Sequence, residues 1–263
     1  MTFLDEWKQF SNARIGLSRF GSSISTKETL RFRLDHARAR DAVLLNPDYS
    51  KLVEEMEVLG NPQNLSSLFV KSQVHSKEEY LLRPDLGKRL DFESKSKLQP
   101  FAGNFDLVLV GVDGLSAKAI DENLIPFLKL FIEAIRKTKL SIAPLVLSKF
   151  GRVAIGDEIG EVLNAKLSVV VIGERPGLSS ADSLGVYITY HPKVGKTDES
   201  RNCISNVRPS GFNFESAVAK TMYLITESIQ RKLSGVDLKD EMPPEFLIQS
   251  KDNTMIAEIP ESL

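Results

Sequence analysis

The chain has 263 residues and a mass of 29.3 kDa, enough for one large domain or two small ones and for a substantial core. Its 34 Lys and Arg residues stand against 35 Asp and Glu, a net charge of −1 that gives no electrostatic reason to expect nucleic acid or an anionic membrane as partner. The single cysteine, Cys203, excludes an internal disulfide framework and a multi-cysteine metal site, and the three scattered histidines, His36, His75 and His191, suit a metal cluster poorly. No run approaches the ~18 apolar residues of a membrane span. The N-terminus lacks the basic and apolar regions of a secretory signal, so a reducing cytoplasm is the expected location.

Ser25-Thr26-Lys27-Glu28 reads as a capping box and predicts a helix over 26 to about 45. Leu30, Leu34, Ala37 and, on the neighbouring ridge, Ala42 and Leu44 give it an apolar side, and Asn46-Pro47 stops it. A second short helix is expected over 51–59, ended by Gly60-Asn61-Pro62, and a third over 77–82, ahead of Arg83-Pro84. The first hundred residues hold no good strand signal and read as a helical arm that packs on something else. Arg31, Arg33, Arg38 and Arg40 on its first helix suit either a docking face or a solvated one.

The character changes near Pro100. Residues 107–112, Leu-Val-Leu-Val-Gly-Val, read as a strand buried on both faces, as parallel strands are. The turn Asp113-Gly114-Leu115-Ser116 follows, then a helix over 124–138 and a strand over 140–147 interrupted by Pro144. A helix over 153–163 carries Gly156-x-x-x-Gly160, which permits close packing. Strands over 167–172 and 185–190 precede a long helix over 214–233, closed by Ser234-Gly235. Residues 241–263, with Pro243-Pro244, read as a loosely held tail. The alternation predicts an α/β fold, a mostly parallel sheet flanked by helices and preceded by an N-terminal helical arm. The expected division is 1–95 for the arm, 96–240 for the α/β domain and 241–263 for the tail.

Open α/β sheets bind ligands beyond the carboxyl ends of their strands. Two polar loops fall there: Asp113 to Ser116, and Gly173-Glu174-Arg175-Pro176-Gly177-Leu178-Ser179-Ser180. Gly173 and Gly177 allow close approach of a ligand, although by pattern alone Glu174 and Arg175 read more readily as ordinary surface residues of a tight turn. No P-loop, dinucleotide fingerprint or nucleophile elbow exists; Gly114-Leu115-Ser116-Ala117-Lys118 fails the last at its final position. Asp113 has the location of a phospho-acceptor, but such a residue is more often a helix cap. Cys203, in Arg201-Asn202-Cys203-Ile204-Ser205-Asn206, is by default buried and inert. Arg201 could activate it, but no histidine lies close in sequence as a base. No catalytic residue and no metal ligand is assigned.

Taken together, 25–42 (Ser-Thr-Lys-Glu-Thr-Leu-Arg-Phe-Arg-Leu-Asp-His-Ala-Arg-Ala-Arg-Asp-Ala), 152–161 (Arg-Val-Ala-Ile-Gly-Asp-Glu-Ile-Gly-Glu), 172–180 (Ile-Gly-Glu-Arg-Pro-Gly-Leu-Ser-Ser) and 201–206 resemble the small subunit of ethanolamine ammonia-lyase, over about Ala13 to Asp240. That family uses adenosylcobalamin to convert ethanolamine to acetaldehyde and ammonia. The resemblance implies a TIM-barrel large subunit holding the substrate and the radical chemistry. The small subunit is then an α/β domain, similar to cobalamin-binding domains, that closes over the corrin in a hetero-oligomer of paired subunits. The family's cofactor contacts carry over to Val153, Glu174 and Cys203. No Asp-x-His-x-x-Gly is present, which suits base-on cobalamin with Cys203 at its periphery. Some members carry a longer N-terminal extension that directs them into a bacterial microcompartment. Here about a dozen residues, with Leu4, Trp7, Lys8 and Phe10, precede the resembling region. The competing readings are a stand-alone cobalamin- or nucleotide-binding regulatory module and a thiol enzyme built on Cys203.

Overall fold

The apolar run before Asp113 becomes the middle of a six-stranded sheet in the computed structural model, which describes Trp7 and residues 14–17, 19–61 and 64–243. In chain order, a small hairpin of β1 (Arg19–Phe20) and β2 (Ser23–Ile24) leads into α1 (Thr26–Leu44) and α2 (Tyr49–Gly60). Then come β3 (Ser67–Lys71), α3 (Lys77–Leu82), α4 (Phe92–Leu98), β4 (Phe105–Val112), α5 (Ala117–Ile135), β5 (Leu145–Lys149) and α6 (Ile155–Leu163). The chain continues through β6 (Ala165–Gly173), β7 (Leu184–Tyr190), β8 (Arg201–Val207) and α7 (Phe214–Arg231). The strand order is β3-β5-β4-β6-β7-β8; the first four are parallel, and β7 and β8 are antiparallel additions.

Alternation along β4 and β6 divides the core. Leu107, Leu109, Val169 and Val171 pack with Phe127 and Phe131 of α5, Met222 and Ile225 of α7 and Met56 of α2. Val108, Val110, Val112 and Val170 pack on the other face with Ile155 and Ile159 of α6 and Leu98 of α4. The glycines of α6 serve this packing: a Cβ at Gly156 would lie 2.7 Å from Ser168 Oγ. Two acidic side chains in the first turn of α6 are also buried, Asp157 paired with Arg201 at 2.8 Å and Glu158 with Lys95 at 3.1 Å. Among the described residues, no helix is long and apolar enough to cross a membrane.

Several expectations are corrected. The first hundred residues do contribute to the sheet: β3 is its edge strand, parallel to β5, with only Leu68 and Val70 buried, too little apolar pattern to register as a strand. The polar segment 201–207 is the other edge, β8, where Arg201, Ile204 and Val207 point inward. Helix α5 starts at Ala117, not 124, because Ser116 caps it, and it tolerates Pro126 in its interior. Strand β5 begins only after Pro144, which has no N–H to give to a ladder. The expected helices over 26–45, 51–59, 77–82, 153–163 and 214–233 are present with small shifts at their ends. Of the expected tail, 244–263 lies outside the described residues, as do Leu4, Lys8 and Phe10.

Helix α1 occupies the expected span. Its Ser25 cap forms, with the hydroxyl accepting from Glu28 N at 3.4 Å. Its apolar side, however, is not covered: Leu30, Leu34 and Leu44 are 59%, 50% and 57% exposed, and Ala42 alone is buried. At 3.6 residues per turn these three leucines fall within about 80° of one another, with Ala42 about 120° round from the middle of the stripe. Phe20 and Ile24 of the preceding hairpin are exposed as well.

Candidate functional site

Three loops meet at the carboxyl edge of the parallel strands. The loop after β4 turns at Gly114, whose φ of 59° and close approach to the Gly173 carbonyl leave no space for a side chain. Leu115 N donates to that carbonyl at 3.0 Å. Ser116 caps α5 by accepting from Ala119 N at 3.1 Å, and its hydroxyl donates to Ala181 O at 2.6 Å. Asn123 Nδ2 donates to Asp182 O at 2.7 Å, so the long loop after β6 is tied down on α5.

Asp113 is neither the helix cap nor an available phospho-acceptor. It is 1% exposed, and both its oxygens are taken. Oδ2 accepts from Tyr49 Oη at 2.8 Å and Phe150 N at 2.9 Å; Oδ1 accepts from Gly114 N at 2.9 Å and Gly151 N at 3.3 Å. Burial pushes its pKa up, against the opposing pull of Phe150, Tyr49 and Lys77.

Between these loops lies an open cleft of about 460 Å³. Arg152 and Val153 come from the β5–α6 loop, Glu174 and Arg175 from the loop after β6, Leu115 from the loop after β4, Tyr187 from β7 and Tyr80 from α3. Two of the three expected contact residues, Val153 and Glu174, are therefore brought together. Glu174 also braces the turn, since its Oε2 accepts from Asn206 N at 3.0 Å. Gly185 leaves room for this carboxylate; a Cβ there would lie 3.2 Å from Oε1.

Cys203 stands beside the cleft rather than in its wall. It is exposed, not buried as the default reading has it, with Sγ 3.3 Å from Ser205 Oγ, and it is the cross-strand partner of Tyr187. Burial first, then the neighbouring Cys203 thiol, push the Tyr187 hydroxyl above its usual range. Arg201 does not activate the thiol: its guanidinium is buried on Asp157, donating at 2.8 Å to both oxygens, and on Lys196 O at 2.9 Å. None of the three histidines lines the cleft. No group of three or more His, Cys, Asp or Glu could hold a metal ion among the described residues.

The sequence alone assigns no role to Arg152, Tyr80 or Tyr187. Arg152 lies in the Arg-Val-Ala-Ile-Gly segment beside Val153, and Tyr187 in a strand whose aromatic residues had no assigned direction. Tyr80 carries no local signal, because it reaches the site only through the fold. The Arg152 guanidinium stacks 4.1 Å from the centre of the Tyr80 ring and donates to Tyr80 O at 2.7 Å. Its Nε is buried without a hydrogen-bond partner among the described residues. Apolar surface from Val153, Leu115 and Ile172, an aromatic wall and an orphaned buried donor suit a large amphipathic ligand that brings acceptors of its own.

The model of the ethanolamine ammonia-lyase light chain (EutC) family matches residues 2–239. The chain is 48% identical over 240 residues to the ethanolamine ammonia-lyase small subunit of Pseudomonas fluorescens strain Pf0-1, covering 90% of this chain and 86% of the relative. It is 47% identical over 238 residues to that of Pseudomonas aeruginosa strain PAO1, covering 89% and 86%. To that of Azotobacter vinelandii strain DJ it is 45% identical over 242 residues, covering 89% and 88%. The family match starts at residue 2 and not at Ala13, so the segment with Leu4, Trp7 and Phe10 is part of the shared sequence and not an addition before it. With nearly its whole length matched, the chain belongs to the family of ethanolamine ammonia-lyase small subunits.

Proposed function

We propose that this chain is the cofactor-binding subunit of an adenosylcobalamin-dependent ethanolamine ammonia-lyase, covering the corrin where it meets the large subunit. One observation supports this above others: Val153 and Glu174 line a single cleft at the carboxyl edge of the sheet, walled by Tyr187, the strand partner of Cys203. A corrin is broad, mostly apolar and fringed with amides. Val153 and Leu115 offer it an apolar bed, Glu174 an acceptor for an amide, and Arg152 a buried donor. Tyr187 and Cys203 border its edge. The cleft is smaller than the whole cofactor, which leaves the remainder for the partner subunit to enclose. When bound, adenosylcobalamin supplies the radical that starts the reaction. No histidine lines the cleft, so this chain would offer none to replace the cofactor's own base.

This chain contributes enclosure and orientation. Its cleft pairs no nucleophile with a base, and the substrate site is assigned to the large subunit. The exposed leucine stripe of α1 supports a docking role for the arm, since a stand-alone regulatory module has no use for an uncovered apolar helix face.

The reading is tested by titrating adenosylcobalamin into the complex reconstituted with the large subunit. Glu174→Ala leaves a cofactor donor unpaired, at about 1–3 kcal/mol, so affinity should fall about five- to hundredfold. The ethanolamine KM at saturating cofactor should change little. A lowered melting point with unchanged affinity would confine Glu174 to bracing Asn206. Turnover of ethanolamine by this chain and adenosylcobalamin without the large subunit would overturn the non-catalytic assignment.

A further inference from the structure

We infer that Asp113, held by Tyr49, is a positioning residue that presents Arg152 and Val153 to the cofactor cleft. The inference rests on reading that cleft as the cobalamin site. The loop 150–153 has little regular structure of its own. Phe150 sits at a φ of 56°, a region that residues with a side chain rarely occupy. What stabilises it there is the Asp113 carboxylate beneath, which accepts the amides of both Phe150 and Gly151. Gly151 is confined as well: a Cβ would lie 2.6 Å from Val112 Cγ1. From the other side Tyr80 Oη donates to Gly151 O at 3.0 Å, and Arg152 N donates to Gly87 O at 2.7 Å. The next residue, Val153, is in the cleft wall.

Besides the Gly114 amide of its own turn, Asp113 has one more hydrogen-bond partner, and it comes from the arm. Tyr49 opens α2, five residues after α1 ends, and donates to Oδ2 at 2.8 Å. Its ring lies outside the cofactor cleft, 5.3 Å from that of Phe69. Two successive hydrogen bonds through Asp113 thus link the arm to the loop that lines the cleft. Asp113 touches no ligand; it acts through Phe150 and Gly151.

The test uses the reconstituted complex and a spectroscopic cobalamin titration, with Tyr49→Phe and Asp113→Asn beside Glu174→Ala. Tyr49→Phe keeps the ring and removes only the donor; cobalamin affinity should fall roughly three- to tenfold. Asp113→Asn, which sets an amide group against backbone donors, should weaken it further. Affinity for the large subunit and the ethanolamine KM at saturating cofactor should hold. If Asp113→Asn does not fold, Tyr49→Phe decides. A lowered melting point with unchanged cobalamin affinity in Tyr49→Phe would make the clamp merely structural and overturn the inference. If Glu174→Ala weakens binding and Tyr49→Phe does not, only the positioning role falls. If neither does, the cleft is not the cobalamin site and both fall.

Discussion

Gly114 answers two demands at once, a positive φ and contact with the Gly173 carbonyl. Gly114→Ala should therefore cost about 1–3 kcal/mol or more and lower the melting point of the free chain. A melting point within error of wild type would show that the two loops can separate without penalty. Arg201 and Asp157 are a different case, each side chain 2% exposed. Removing one partner strands the other, so Arg201→Ala should destabilise by about 3–5 kcal/mol, read by denaturant unfolding. Asp106 contributes an acid-sensitive stabilisation. Burial opposes its ionisation, but hydrogen bonds from Lys166 Nζ and from the amide and hydroxyl of Ser141, each at 2.8 Å, prevail and hold its pKa below the ordinary range. A lowered folded pKa means that the stabilisation is complete above the unfolded value of about 3.9 and disappears as pH falls through the folded one. Asp106→Asn should lose less stability than wild type on going from about pH 5 to pH 3. Parallel losses would remove Asp106 from the acid response.

Helix α1 separates what periodicity reports from what it leaves open. Leu30, Leu34 and Leu44 were legible as an apolar side, and the capping serine as its start. Periodicity says that one side is apolar; it does not say what covers it. The arginines flanking the stripe favour a partner over collapse onto this chain. Leu30→Ser with Leu34→Ser should change the melting point of the free chain little, within about 0.5 kcal/mol in stability, because both sites are exposed. The same pair should weaken the complex with the large subunit by about tenfold or more, as loss of interface anchors does. An unaltered association constant from sedimentation or calorimetry would exclude this stripe from the interface. The edge strands show the converse. Strands β3 and β8 have few inward apolar side chains, and their pairing comes from neighbours distant in sequence, so neither had a local signature.

Over the molecule as a whole, the arm and the sheet are interlocked from Tyr49 onward. Leu52 and Met56 belong to the core, and β3 completes the parallel edge. Truncation up to residue 45 should leave a cooperatively folding chain with impaired docking. Truncation up to residue 60 removes two core side chains, each of which costs about 2–5 kcal/mol, together with the Tyr49 bond to Asp113, and should abolish cooperative unfolding. A cooperative melt for the shorter chain would show instead that the α/β part stands without α2.

Glu174 was pointed out by the family resemblance, whereas local pattern was sufficient for the central strands, most of the helices and the loops at the carboxyl edge. The reason is that caps, apolar runs and glycine turns are short-range physics, written in neighbouring residues. The cleft is long-range. Tyr80 and Arg152 lie 72 positions apart, and Tyr49 and Asp113 lie 64 apart, yet each pair is in contact. Whether Asp113 caps a helix or clamps a loop depends on which amides the fold brings to it. Whether Arg201 activates Cys203 or pairs with Asp157 depends on α6, packed on β4 and β6, bringing Asp157 within 2.8 Å of it. Those decisions belong to the tertiary structure, because a buried charge is settled by the groups that replace its lost water, and these come from elements far apart in the chain.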